Sequence, residues 1–172
     1  MREAGAPAPA TIEAWLAELD LGPPERLQRD SVASWDLLLD GRRRFDLRVT
    51  VILDPANAAV VWAHLAPPIA HTFRVSYRRL LRWNDELPFV KFALTDDDRP
   101  VLTAEIPLDR LDRDELGLAI ARVLAICDLL LEETAGWVWV GGRIPDWSGR
   151  TSRQAGLLDR YAERLGELAG PR

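Results

Sequence analysis

The residues able to do chemistry in this chain are few, and their spacing argues against a reaction. Its histidines are His64 and His71, and its one cysteine is Cys127. No pair among them has the separation of a zinc site, and Cys127 falls on an apolar helical stripe without an activating base beside it in sequence. The acidic run Asp96-Asp97-Asp98 could attract a hard cation, but it lacks the spacing, closing glutamate and turn glycine of a calcium loop. Asp112, Asp114 and Glu115 are better read as helix capping and dipole partners than as an acid–base pair. Gly141-Gly142 is not followed by the Lys-Ser/Thr of a phosphate loop, and Ser148 with Asp146 has no nucleophile-elbow frame. The residues therefore predict no catalytic site, no cofactor and no metal.

Two other sets of side chains point to contacts. Arg74, Arg78, Arg79 and Arg82 line one side of a predicted helix beside Phe73, Tyr77 and Trp83, and with Arg42-Arg43-Arg44 they could follow a phosphate backbone. Seven tryptophans are present. Trp15, Trp35 and Trp62 sit in core-like patterns. Trp83, Trp137 and Trp139 stand at element ends, where they would either anchor a partner or pack the C-terminal segment onto the domain.

Composition narrows the classes further. A chain of 172 residues can bury a core without staples, and one cysteine excludes an internal disulfide framework. The net charge of −5 gives no global attraction to nucleic acid or anionic lipid. No run is long and apolar enough for a membrane span, and MREAGAPAPAT has no apolar signal region. A soluble, cytoplasmic, bacterial protein is expected, with no membrane contact.

The elements that must position these residues can be read in order. Residues 1–10 are Ala/Pro-rich and predict a mobile arm. Thr11 can cap a helix bearing Ile12, Trp15, Leu16 and Leu19 on one face, stopped at Gly22-Pro23-Pro24. Three strands follow: one around Trp35, Leu37 and Leu39, one from Phe45 to Leu53, and one from Ala59 to Leu65. Their short links predict an antiparallel meander. After Pro67-Pro68 comes a helix carrying Tyr77, Leu80 and Leu81, then a hairpin. Placing Val90, Phe92 and Leu94 on the core face with Leu102, Ala104 and Ile106 puts Lys91 directly opposite Glu105. Asp112 and Glu115 form a capping box for a long helix ended by Gly136. Between Leu116 and Leu131 that helix carries just two charges, Arg122 and Asp128, so a single sheet cannot cover it. A last amphipathic helix aligns Leu157, Leu158, Tyr161, Leu165 and Leu168.

The order α-β-β-β-α-β-β-α over residues 11–135 resembles that of the small chaperones of type III secretion. The inner part is more closely similar to the YbjN family, bacterial proteins described as sensory-transduction regulators. The likeness lies in Tyr77-Arg78-Arg79-Leu80-Leu81-Arg82-Trp83-Asn84, in Glu86-Leu87-Pro88-Phe89 and in Phe92-Ala93-Leu94 with its acidic turn. It continues through Val101-Leu102-Thr103-Ala104-Glu105-Ile106-Pro107-Leu108 and Leu111-Asp112. The resemblance implies an α+β fold with a five-stranded antiparallel sheet over residues 11–136, a C-terminal extension over 137–172, and a non-enzymatic protein-binding or regulatory module that forms homodimers. The contact residues expected are Tyr77, Leu81, Trp83, Phe89 and Leu118, with aspartate at Trp83 or Leu118 breaking contacts without unfolding the chain. Two rival readings are a nucleic-acid-associated protein using the Arg74/Arg78/Arg79/Arg82 face, and a small-molecule binder with a pocket between sheet and extension. For the latter, no concave site gathering two or more titratable groups is expected.

Overall fold

The computed structural model of the chain describes residues 6–69 and 73–169, and for 73, 74 and 169 the backbone alone. The first helix, α1, runs Pro9–Glu18, with proline in its first turn where a missing N–H costs nothing. It starts two residues before Thr11, so part of the expected arm is ordered helix; residues 1–5 lie outside the described residues.

Six strands follow in one antiparallel sheet: β1 Glu25–Arg29, β2 Val32–Leu39, β3 Leu47–Asp54, β4 Ala58–His64, β5 Lys91–Leu94 and β6 Pro100–Pro107. Their spatial order is β1-β2-β3-β4-β6-β5. The expected sheet had five, and the missing strand is β1. All five of its residues are exposed, so Glu-Arg-Leu-Gln-Arg carries no alternation to betray it. It is defined by pairing: Arg29 opposes Val32 across a two-residue turn in which Asp30 adopts a φ of 53°. A charged outer strand also discourages edge-to-edge association.

The predicted alternation holds through the sheet centre. Trp35, Leu37 and Leu39 of β2, Val49, Val51 and Leu53 of β3, and Ala59, Val61 and Ala63 of β4 are all buried on one face. Side chains between them, such as Thr50, Ile52, Val60 and Trp62, are half-buried on the opposite face. The chain then crosses through α2, Phe73–Glu86, so that β6 rather than β5 pairs with β4.

The hairpin corrects the predicted register by two residues: Phe92 opposes Leu102, and Lys91 opposes Thr103. A shift of two keeps every side chain on its face, so Phe92, Leu102, Ala104 and Ile106 still point into the core. Leu94, expected with them, is exposed. The turn sets the shift. Thr95 N–H donates to the Arg99 carbonyl at 3.0 Å, Asp98 takes a φ of 60°, and the Asp97 carboxylate binds both Thr95 and Arg99, so the loop closes over residues 95–99 where the turn was expected at Asp96–Pro100. Lys91 and Glu105 still pair, diagonally, at 3.5 Å.

The long helix α3 spans Arg113–Leu129, and Asp112 accepts from Glu115 N–H at 2.8 Å, as the capping pattern predicts. It does not run on to Gly136. The chain kinks at Leu130 and continues as α4, Leu131–Val138. The final amphipathic stretch is likewise broken at Tyr161 into α5, Ala155–Arg160, and α6, Ala162–Leu165.

These last helices answer the question set by α3. Sheet strands β4 and β6 lie on one side of it, and α1, α5 and α6 on the other. A Cβ on Gly117 would sit 2.5 Å from Tyr161 Oη and 2.9 Å from Leu19 Cδ2, so glycine is what lets both layers close on the helix. Helix α3 therefore lies within the core, covered on its far side by the chain's own C-terminal residues.

Candidate functional site

The five expected contact residues separate into two groups. Leu118 is 0% exposed and Trp83 is 4% exposed, so neither lies on a surface. Trp83 stacks between Phe92, at 5.3 Å, and Trp137, at 5.6 Å. Aspartate at either place would bury a charge, which corrects the expectation that such variants keep their fold. Tyr77 is half-buried against the core, whereas Leu81 is 69% and Phe89 53% exposed.

Helix α2 explains the difference. Ser76, Leu80, Trp83 and Leu87 are buried at spacings of four, three and four residues, a narrow seam that fixes the helix to the domain. The rest faces outward: Val75 is 63% exposed and Leu81 69%, on two flanks of that outer side, with the exposed Arg78 and Arg82 falling between them by helical spacing. The side chains of Phe73 and Arg74, and His71 entirely, lie outside the described residues. The second arginine cluster does not join this face. Arg42 pairs with Asp159 at 2.5 Å, Arg43 with Glu132, and Arg44 is buried, donating to the Leu65 carbonyl at 2.6 Å.

The remaining tryptophans pack the C-terminal residues onto the rest of the fold. Trp139 meets Trp147 edge-on at 5.6 Å, Trp147 packs on Phe45 at 5.3 Å, and the Arg44 guanidinium lies over Trp139. Cys127 is buried, and burial pushes its thiol up to about 11. His64 sits half-buried beside Trp62; burial, then Arg48, lowers its pKa. Ser148 N–H donates to Asp146 in a local turn rather than forming a triad. Among the described residues, no group of three or more His, Cys, Asp or Glu could hold a metal ion.

Polar clusters that the sequence reading missed occupy the loop between β2 and β3. Asp128 accepts three backbone N–H groups, from Arg42 at 2.6 Å, Arg43 at 2.9 Å and Arg44 at 2.7 Å. Gly41 has to be glycine there, because a Cβ would come within 2.3 Å of Asp128 Oδ1. Next to it the fully buried Asp40 accepts from Arg153 Nε at 2.7 Å, Arg153 Nη2 at 2.8 Å and Asp46 N–H at 2.9 Å. Burial works against its charge, but the hydrogen bonds from Arg153 and Asp46 prevail and hold its carboxyl down at about 2.

A concave site also exists, contrary to expectation. A cleft of about 520 Å³ lies where α3 meets β6, and its walls include Glu105, Arg110, Glu115, Arg122 and Arg164. Phe89, Ala104, Ile106 and Ala119 provide its apolar surface. Helix α3 positions Glu115, Ala119 and Arg122 one turn apart on one side. The signal for both Arg122 and Asp128 was present in the sequence: each is a lone charge in an otherwise apolar helix, and a buried charge requires partners.

An antiparallel open sheet of six strands, with helices over its buried face and an exposed amphipathic α2, makes this a mixed α/β protein. The model of the YbjN family, described as "Putative bacterial sensory transduction regulator", matches residues 8–134, and the chain belongs to that family. No curated protein matches the chain. Among the described residues, no helix is long and apolar enough to cross a membrane.

Proposed function

We propose that the chain is a non-enzymatic regulatory module that works by binding another protein through the outer side of α2. The observation that carries this reading is the exposure of Val75 and Leu81 beside Arg78, Arg79 and Arg82, on a helix held by one narrow seam. Two exposed apolar side chains with guanidiniums between them suit a partner segment that carries both apolar and acidic residues. Phe89, at the end of the same helix–strand link, extends the surface. The description of the family as regulators supports a binding role. In this reading the protein is cytoplasmic and bacterial, pairs as a homodimer, and has a secretion-chaperone-like fold to which residues 137–172 are added.

Replacing both Val75 and Leu81 by aspartate tests it, since both are exposed and the fold should survive. Light scattering should show loss of the dimer, and proteins that co-purify with the wild type from its native host should be lost. A wild-type monomer with the same co-purifying proteins as the variant would sink the reading. The nucleic-acid alternative draws on the exposed Arg78, Arg79 and Arg82, but Arg42 and Arg43 are engaged by carboxylates and the net charge is −5. It requires a gel shift that weakens steeply with salt.

A further inference from the structure

The cleft at the α3–β6 junction contains a buried cation with unused donor capacity. Arg122 is 8% exposed, and its buried Nε has no hydrogen-bond partner. Its nearest carboxylate is Glu167, at 3.8 Å, beyond hydrogen-bond range. Burial, then the neighbouring Arg164, lowers its pKa, so the site disfavours the charge it contains. Buried polar groups are nearly always satisfied, and a guanidinium offers donors alone.

The surroundings carry both signs, but their carboxylates are already engaged. Glu115 is bonded to Arg164 at 3.3 Å and Glu105 is paired with Lys91 at 3.5 Å, while Arg110 has neither hydrogen bond nor ion pair among the described residues. The lining carboxylates are therefore partnered, and what remains open is donor capacity on Arg122 and Arg110. One wall is also strained. Phe89 holds a φ of 68°, a conformation costly for a bulky side chain, and this brings its ring 3.8 Å from the Arg122 guanidinium. Beyond that bend β5 begins at Lys91, opposite Thr103, so β6 from Ala104 to Pro107 has no strand on this side and forms the cleft floor.

We propose that this cleft binds a small organic oxyanion with an aromatic or apolar body, its phosphate or carboxylate on Arg122 and Arg110 and its body against Phe89, Ala104 and Ile106. A volume of about 520 Å³ suits a molecule of that size rather than a bare ion or a protein segment. The cleft has Phe89 in common with the proposed protein-binding surface but no residue of α2, and the inference does not depend on the protein-binding reading.

Titration calorimetry on the full chain tests it with four probes: phenyl phosphate, benzoate, inorganic phosphate and benzyl alcohol. Saturable binding of an aromatic anion is expected, with the phenyl phosphate and benzoate arms distinguishing the two headgroups. Inorganic phosphate and benzyl alcohol should each bind at least about tenfold more weakly, since each lacks one half of the recognition. Arg122→Met should weaken aromatic-anion binding about tenfold or more while leaving the melting temperature equal or higher, because it removes an unsatisfied buried group. Arg110→Gln, at an exposed position, should weaken binding similarly without affecting the fold. Absence of saturable binding by both aromatic anions, equal affinity in the Arg122→Met and Arg110→Gln proteins, or a loss of stability in Arg122→Met without loss of binding would each overturn the proposal.

Discussion

Two aspartates fix the loop between β2 and β3, and each makes a measurable prediction. Asp40 is ionised far below the ordinary carboxylate range because Arg153 and the Asp46 N–H bond its charged form more strongly than burial disfavours it. A folded pKa of about 2, against 3.8 unfolded, makes its contribution fully present above about pH 4. It is lost as pH falls from there toward 2, and amounts to roughly 2 kcal/mol. Urea melts across that range should show the loss, and Arg153→Gln should flatten it. Asp128 offers a second test. Asp128→Ala would strand three N–H groups and should cost about 3 kcal/mol. Gly41→Ala should cost about 2 kcal/mol alone, through its clash with Asp128, and much less in the Asp128→Ala background. Additive effects in that double-mutant cycle would show that the two residues do not act as one unit.

At the scale of elements, α2 is amphipathic and fixed by one narrow seam, whereas α3 is apolar on nearly every side and is covered on both. Leu118 on α3 meets neighbours on all sides, so Leu118→Asp should leave the chain unfolded, with loss of near-ultraviolet dichroism. Leu81→Asp on α2 should change stability by less than about 0.5 kcal/mol, since the side chain is already largely in water. The elements themselves were largely legible. Alternation identified β2, β3 and β4, and the Asp112–Glu115 spacing identified the start of α3, because burial on one face and an unpaired helix end both leave local marks. Strand β1 left none, its residues being exposed and its definition resting on Val32 and its neighbours across the turn. The hairpin register was misjudged for a related reason: a favourable Lys91–Glu105 pair forms equally well on the diagonal, so it could not choose between two registers of the same parity.

For the whole molecule, the C-terminal residues are part of the core's closure. Leu157, Leu158 and Tyr161 are buried with α3, while Arg153, Tyr161 and Arg164 bond Asp40, Asp114 and Glu115 on the domain. Ending the chain after Gly142 should expose the far side of α3. The shortened protein is expected to bind a hydrophobic dye and aggregate, and a soluble, cooperatively melting product would refute that role for the extension. The same closure bears on association. With α3 covered from within, the proposed partner surface falls on the outer side of α2 and the proposed small-molecule site in the cleft beside Arg122.

The amino-acid sequence by itself determined the strand periodicities, the Asp112 cap of α3 and the identity of the core faces, since these depend on neighbours within a few positions. It also marked Arg122 and Asp128 as exceptional. Their different fates were decided by tertiary structure alone. Asp128 meets the turned backbone of residues 42–44 and is fully bonded, while Arg122 emerges beside a strained Phe89 with its Nε unpaired. Partners more than 80 residues away for Asp128, and across a kinked strand end for Arg122, are brought within reach by packing, and no local pattern encodes that distance.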